Sequence, residues 1–317
     1  MAGWRYAGKV IDLHTHSTFS DGSDSPTVLA RRAAEIGLNA IALTDHDTTD
    51  SHEEMAAACA EHGIELVPGV EISLKDTEFR RSRADGSTEI AGVHVLAYFL
   101  PLDAQHPLQQ KLTQLRSDRD GRNHALVLRL QELGFERVTY ELVESFAGDP
   151  HNIGRPHFAA AMHDQHPEIV GAPSPENTGR LFVDWLGNSG QAYIPKSEMT
   201  IEDFVGAAAG TSTFFSIAHP LVSYVPGATD NEISVQMPRI IGSLRERGFR
   251  GVEAHYGGSS PETRSLMVRL TRNEGLIPTG GSDYHGSFKP DVDLGRGRSG
   301  SLHVEDSVLE EMKRAVA

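Results

Sequence analysis

Short apolar runs of strand length recur along this chain, and most of them end at a histidine or a carboxylate. They are Lys9–Leu13, Asn39–Leu43, Glu65–Val67 with Val70–Leu74, Val93–Leu100, Phe214–Ala218, Gly251–His255 and Leu276–Thr279. Helix signals fall between several of them. Ser25-Pro26 reads as an N-cap and first-turn proline, followed by Val28, Leu29, Arg32 and Ile36 at helical spacing before Gly37. Ser51 to His62 reads as a second helix ended by Gly63. Such alternation predicts an α/β fold with a largely parallel sheet. About seven strands with short helices between them suit a barrel, complete or not. An open doubly wound sheet is the rival, but its dinucleotide-binding form lacks the GxGxxG that would follow the first run.

Residues 101–213 interrupt the alternation. Gln109–Leu133 reads as a long helix, and Glu141–Ala147, Pro156–His166, Glu176–Gly187 and Ile201–Ala209 as shorter ones. The expected organisation is therefore a barrel of residues 8–100 and 214–317 carrying a mainly helical insertion, 101–213. Lys75–Glu89 and Val222–Asn231 read as loops, the second a candidate lid.

A chain of 317 residues can bury a full core without staples. Its 29 Lys and Arg against 44 Asp and Glu leave a formal charge of −15, which disfavours duplex nucleic acid and anionic membranes as partners. Cys59 is the only cysteine, so neither an internal disulfide nor a Cys-based zinc site can form. No run resembles a signal peptide or a membrane span. A soluble cytoplasmic protein is expected.

The ligand-capable residues at the strand ends carry the chemistry. His14 and His16 are an i, i+2 pair, so in an extended segment both project to one side. Asp21 follows in the next loop, His46 ends the second run, Glu71 lies on the third and His94 on the fourth. His219 ends the fifth, and Asp283 and His285 form a second i, i+2 pair after the seventh. Catalytic groups of barrels gather at the C-terminal mouth of the strands. Imidazole and carboxylate without thiol suit Zn²⁺, Mn²⁺ or Fe²⁺, and these nine residues suit two or three divalent ions better than one. His94 sits near the start of its run. It reaches the same mouth only if its strand bends sharply or runs antiparallel to the Glu71 strand. Asp45 and Asp47 read as turn and cap residues.

DLHTHSTFSDGSDSP, ALTDHDT, GVEIS, AHP and GSDYH together resemble, in order, the motifs of the PHP (polymerase and histidinol phosphatase) family of metal-dependent phosphoesterases. The resemblance spans most of residues 8–290 and implies a distorted (β/α)7 barrel with a trinuclear metal centre. It places His14, His16, Glu71 and Asp283 on one ion, Glu71 with His94 and His219 on a second, and Asp21, His46 and His285 on a third. Asp12 is expected to orient a histidine. Asn152 to His157 (NIGRPH) further resembles the branch acting on nucleotides and short RNA. The activity implied is hydrolysis of phosphate esters by metal-activated hydroxide, without a covalent enzyme intermediate. Candidate substrates are a nucleoside 3′,5′-bisphosphate losing its 3′-phosphate and a short 5′-phosphorylated RNA. Arg155 and His157 are candidates for a second phosphate, since arginine offers a planar fork to phosphate oxygens. Lys196 and His255 are further candidates for substrate contact. The alternatives are a phosphatase of a small metabolite such as histidinol phosphate, hydrolysis of a C–N bond, and a binding module with a degenerate site.

Overall fold

The run Ala40–Leu43 shows how the sequence builds the sheet. In the computed structural model, Ala40 and Ala42 face one hydrophobic cluster with Ile11, Leu13, Val67, Leu96 and Tyr98. Ile41 and Leu43 face another, with Leu29, Ala33, Met55 and Cys59 of the flanking helices. This period of two makes the first cluster the inside of a barrel and the second its helical coat. The structure describes residues 10–82, 88–147, 153–187, 189–195, 199–298 and 300–317.

Seven strands form one sheet in chain order: β1 (Ile11–Asp12), β2 (Ala40–Leu43), β3 (Glu65–Ser82), β4 (Thr88–Tyr98), β5 (Phe214–Ile217), β6 (Gly251–Tyr256) and β7 (Ile277–Gly281). The sheet curls until its first and last strands meet. Leu13 N–H donates to Gly280 O at 3.3 Å, Asp283 N–H donates to His14 O at 2.9 Å, and Thr15 bridges Tyr284 in parallel. Gly281 makes this approach possible, because a Cβ there would lie 2.4 Å from His14 Cβ. The barrel is distorted at one strand: β4 runs antiparallel to both β3 and β5, and the other pairings are parallel.

Helices α1 (Pro26–Ile36) and α2 (His52–His62) follow β1 and β2. Ser25 Oγ accepts Val28 N–H at the start of α1, and Gly37 ends it at φ 83°. Between β4 and β5 lie α3 (Pro107–Glu132), α4 (Tyr140–Ala147), α5 (Arg155–Gln165), α6 (Pro167–Val170), α7 (Pro175–Leu181) and α8 (Ile201–Ala207). Then come α9 (Pro220–Tyr224), α10 (Asp230–Glu246), α11 (Pro261–Asn273) and α12 (Asp306–Val316). The chain divides into two compact units, Met1–Thr113 with Glu198–Ala317, and Gln114–Ser197. The second has its own core of Leu126, Leu130, Phe135, Val143, Phe158 and Met162. It is shorter at both ends than the insertion expected from the broken alternation, because α8 and the first turns of α3 group with the barrel unit.

Two loop expectations are corrected. Lys75–Glu89 is largely an extension of the β3–β4 hairpin, with a register shift between Asp76 and Arg80; residues 83–87 lie outside the described residues. Its polar sequence hides the strand because the side chain it buries fully among the described residues, Asp76, is an acid and not an apolar residue. Asp76 is held there bidentately by Arg247 at 2.8 and 2.9 Å, and Tyr224 O–H donates to it at 2.6 Å. Val222–Asn231 contains the end of α9 and the start of α10, and only the residues between them are loop.

Candidate metal centre

Nine residues, Glu71 among them, converge from six strands and the loops that follow them. Glu71 is 1% exposed and lies within β3. Register explains how His94 joins it: Glu71 pairs with Leu96 and Ser73 with His94, so Glu71 and His94 are diagonal neighbours on one face of the antiparallel pair. The antiparallel direction of β4 thus meets the condition the sequence set. Ala218 N–H donates to His94 O at 2.9 Å, bringing His219 alongside. His46 bridges Glu71 in parallel from the end of β2.

The two oxygens of Glu71 divide the histidines. Oε1 lies 2.9 Å from His94 Nδ1 and 2.9 Å from His219 Nε2. Oε2 lies 3.1 Å from His14 Nε2, 3.1 Å from His16 Nε2 and 3.3 Å from His46 Nδ1. Asp283 Oδ1 stands 3.6 Å from both His14 and His16, and 3.5 Å from His285 Nδ1. At the exposed side, Asp21 is 3.2 Å from His285, 3.5 Å from His16 and 3.6 Å from His46. Although burial opposes its charge, His14, His46 and His94 hold the Glu71 carboxyl well below the usual carboxylate range. Burial opposes a charge on His14 too, yet Glu253, Glu71 and Asp283 hold its imidazole well above the ordinary value. His16 goes the other way, pushed down to about 3 by burial and by His285.

The donor set fits divalent ions. His14 Nε2, His16 Nε2 and His46 Nδ1 are buried without a hydrogen-bond partner although all crowd one carboxylate oxygen; His219 Nδ1 is likewise orphaned. Two donors held about 2.1 Å from one ion at tetrahedral or octahedral angles are about 3.0–3.4 Å apart, close to the spacings above. Three overlapping groups have their ligand atoms within 4.8 Å of one another: His16, Asp21, His46 and His285; His14, His16 and Glu71; His46, Glu71 and His94. Backbone strain concentrates here as well. His219 and Asp283 adopt φ of 26° and 59°, and Asp47 beside His46 adopts 54°. A cation-binding cluster predicts a thermal shift. Mn²⁺ at about 100 times its Kd stabilises the fold by about 2.7 kcal/mol, a Tm rise of about 4 °C over chelator-treated protein. Differential scanning fluorimetry reads it, and a melting curve indifferent to Mn²⁺ would count against the cluster as an ion site.

Glu253 is the main residue that sequence reading missed. It is buried on β6; Oε1 lies 2.8 Å from His14 Nδ1, and Oε2 accepts His219 N–H at 2.6 Å. An acid within an otherwise apolar strand (GVEAH) was the available signal. His255, the residue expected from that strand, is not brought to the cluster. A register shift between Glu253 and His255 breaks the i, i+2 relation. Burial, with the charge of Arg264, pushes the His255 imidazole below its ordinary value. Among the described residues, Asp12 hydrogen-bonds no histidine ring. It accepts from Ser282 N (2.8 Å), Ser282 Oγ (2.5 Å), Gly295 N (2.7 Å) and His14 N (3.3 Å), tying β1 to the loops after β7. Asp45 exceeds the turn role expected of it. Its buried carboxylate accepts from Ser17 N (2.7 Å), Ser17 Oγ (2.7 Å), Ser20 Oγ (2.7 Å) and Ser51 Oγ (2.6 Å), so it holds the Asp21 loop against β2.

Arg155 and His157 lie in the second unit, in the first turn of α5. Gly154 is its N-cap, and His157 Nδ1 accepts Gly154 N–H at 3.1 Å. Burial pushes the Arg155 guanidinium down from its ordinary value. Asn152 and Lys196 lie outside the described residues. Among the described residues, no helix is long and apolar enough to cross a membrane.

The PHP domain profile matches residues 12–208. The chain is 30% identical to a 3′,5′-nucleoside bisphosphate phosphatase of Chromobacterium violaceum, over 93% of this chain and 92% of the relative. It is 29% identical to a 5′-3′ exoribonuclease of Haemophilus influenzae, over 87% and 90%. A crystal structure described as a metal-dependent phosphoesterase from Bifidobacterium adolescentis superposes with a TM-score of 0.71 at 26% identity, covering 97% of this chain and 96% of that one. With the profile spanning more than half of its residues and a relative aligned along nearly its whole length, this chain belongs to the PHP domain family.

Proposed function

We propose that this protein is a hydrolase of phosphoric esters that acts on nucleotide substrates. The substrates are a nucleoside 3′,5′-bisphosphate losing its 3′-phosphate, a short 5′-phosphorylated RNA cleaved from its 5′ end, or both. The observation that carries the reading is the gathering of six histidines with Asp21, Glu71 and Asp283, with ring nitrogens left for a cation. The names of the relatives favour nucleotide esters over a small metabolite.

His14, His16, Glu71 and Asp283 would hold one divalent ion, Glu71 with His94 and His219 a second, and Asp21, His46 and His285 a third. Such ions supply Lewis-acid polarisation of phosphoryl oxygens and an acidified water. The chain prepares the donors for them. Glu253 keeps the His14 proton on Nδ1, so that Nε2 presents its lone pair toward Glu71. The carbonyl of Asp283, 2.8 Å from His285 Nδ1, does the same for His285 Nε2 facing Asp21. Asp45 and Asp12 fix the two loops that carry Asp21, His14 and Asp283. An ion bound here would take the place of the proton that the surrounding carboxylates favour on His14.

Purified Mn²⁺-loaded protein is incubated with adenosine 3′,5′-bisphosphate and with a 5′-phosphorylated RNA trimer, beside a His14→Ala/His16→Ala control. Inorganic phosphate from the first, or mononucleotide from the second, is expected from the native protein alone. Silence on both with metal bound would overturn the nucleotide assignment.

Arg155 and His157 are proposed to receive the second phosphate of these substrates. Arg155→Ala is expected to lose roughly 10- to 100-fold in kcat/KM on the bisphosphate, the worth of one charge-assisted hydrogen bond, and much less on a nucleoside 3′-monophosphate. Equal losses on the two would remove this role.

A further inference from the structure

A cation that sequence reading passed over stands against the cluster. Lys289 follows the short 3₁₀ turn Gly286–Phe288, directly after His285. Its Nζ donates to Asp283 Oδ2 at 2.8 Å. Among the described residues, it is the only lysine or arginine ion-paired or hydrogen-bonded to any of the nine convergent residues. Asp283 is engaged on both oxygens. Oδ1 faces the imidazoles of His14, His16 and His285, and Oδ2 accepts from Lys289 and, at 3.2 Å, from Tyr256 O–H.

Exposure separates the ammonium donor from its acceptor. The Asp283 side chain is 8% exposed and that of Lys289 38%, so one side of the ammonium rests on the carboxylate and the remainder meets solvent. An ammonium carries three N–H donors. Asp283 is the only side-chain partner of Lys289 among the described residues, which leaves donors for a ligand. Tyr256 O–H stays on Oδ2 if the ammonium turns outward, so Asp283 keeps a partner throughout. A compact ammonium is a point-charge binder of phosphate. In a protein of formal charge −15, an anionic substrate needs such local cations.

We propose that Lys289 is a further residue of the substrate site: its ammonium contacts a non-bridging oxygen of the phosphoryl group that the cluster receives. The inference rests on the phosphoesterase reading. Its competitor is a purely bracing role, in which Lys289 only holds Asp283 in place. The test is calorimetric titration of inorganic phosphate into Mn²⁺-loaded native protein, Lys289→Met, Lys289→Arg and Tyr256→Phe, with metal per chain measured on the same samples. Lys289→Met is expected to weaken phosphate binding roughly 10- to 100-fold at unchanged metal content, with partial rescue by Lys289→Arg. Tyr256→Phe is expected to leave phosphate affinity within about threefold, because that hydroxyl serves Asp283 alone. Native phosphate affinity in Lys289→Met overturns the proposal. So does a loss that only tracks lost metal. Because phosphate is the probe, the result stands apart from nucleotide turnover. A native protein that binds phosphate yet cleaves neither nucleotide refutes the substrate assignment and leaves the Lys289 comparison valid; one that binds no phosphate refutes both.

Discussion

Glu71→Gln is expected to reduce kcat/KM on order of 10³-fold or more and to strip metal from the chain, while leaving the fold intact. The estimate is a floor, since partners one step removed from a metal are typically worth about 10–100-fold. Both Glu71 oxygens are in use, Oε1 toward His94 and His219 and Oε2 toward His14, His16 and His46. Glutamine keeps the volume but exchanges one oxygen for an NH₂ group that cannot bind a cation. It also removes the one negative charge at the centre of five imidazoles. Deletions within a set that acts as a unit are not additive, so the single variant should approach the full loss. Metal per chain by mass spectrometry, circular dichroism and steady-state kinetics on one preparation check this. A Glu71→Gln protein with full metal content and activity within about tenfold of native would show that Glu71 does not bridge the ions.

Glu253 should produce the second largest effect, and its two substitutions should differ in kind. Glu253→Ala leaves the His14 Nδ1 proton and the His219 N–H without the acceptors that now lie at 2.8 and 2.6 Å. It also frees the strained His219 backbone, whose φ is 26°. Removing one member of a buried charged pair costs about 3–5 kcal/mol, so a marked fall in the urea midpoint is expected. Glu253→Gln should fold nearly as well. Its carbonyl can still accept His219 N–H, but its NH₂ then meets His14 Nδ1 as a donor. That reverses the His14 tautomer and turns an N–H, in place of a lone pair, toward Glu71. Metal affinity and activity should therefore fall about 10–100-fold with little loss of stability. Nitrogen chemical shifts of the His14 ring report the tautomer directly. A Gln variant with native metal affinity, or an Ala variant with native stability, would refute this account of Glu253.

Much of the site was legible because strand geometry is local. Two residues apart on an extended segment means one side of it, so His14 with His16 and Asp283 with His285 could be paired from the sequence. Strand ends of an alternating α/β chain gather at one mouth, which placed His46 and His219 beside them. His94 was legible as a condition on strand direction, and β4 meets that condition by running antiparallel to β3.

The misses have a different physical origin. Glu253 and His255 exchanged places because one irregular position on β6 shifts the register, and no sequence period reports a bulge. Asp45 resembled a turn residue because its serine partners come from two other segments, at positions 17, 20 and 51. Lys289 resembled a solvated lysine in a polar loop until the chain placed it against Asp283. The second unit was legible as a helical interruption, but its limits moved inward to Gln114–Ser197. A helix such as α3 carries no mark in its sequence for the point at which its neighbours change.

By itself, then, the order of residues determined the fold class, the pairing of His14 with His16 and of Asp283 with His285, and the family. The first two follow from backbone periods of two and 3.6 residues and from where apolar runs stop, and the family from the resemblance of the motifs at those ends. Only the tertiary structure decided which carboxylate sets the proton on His14, which oxygen of Glu71 serves which histidine, and which cation stands at Asp283. Those choices depend on contacts between segments as far apart as His14 and Glu253. Barrel closure and a single shifted register bring these together, and neither leaves a local trace in the chain.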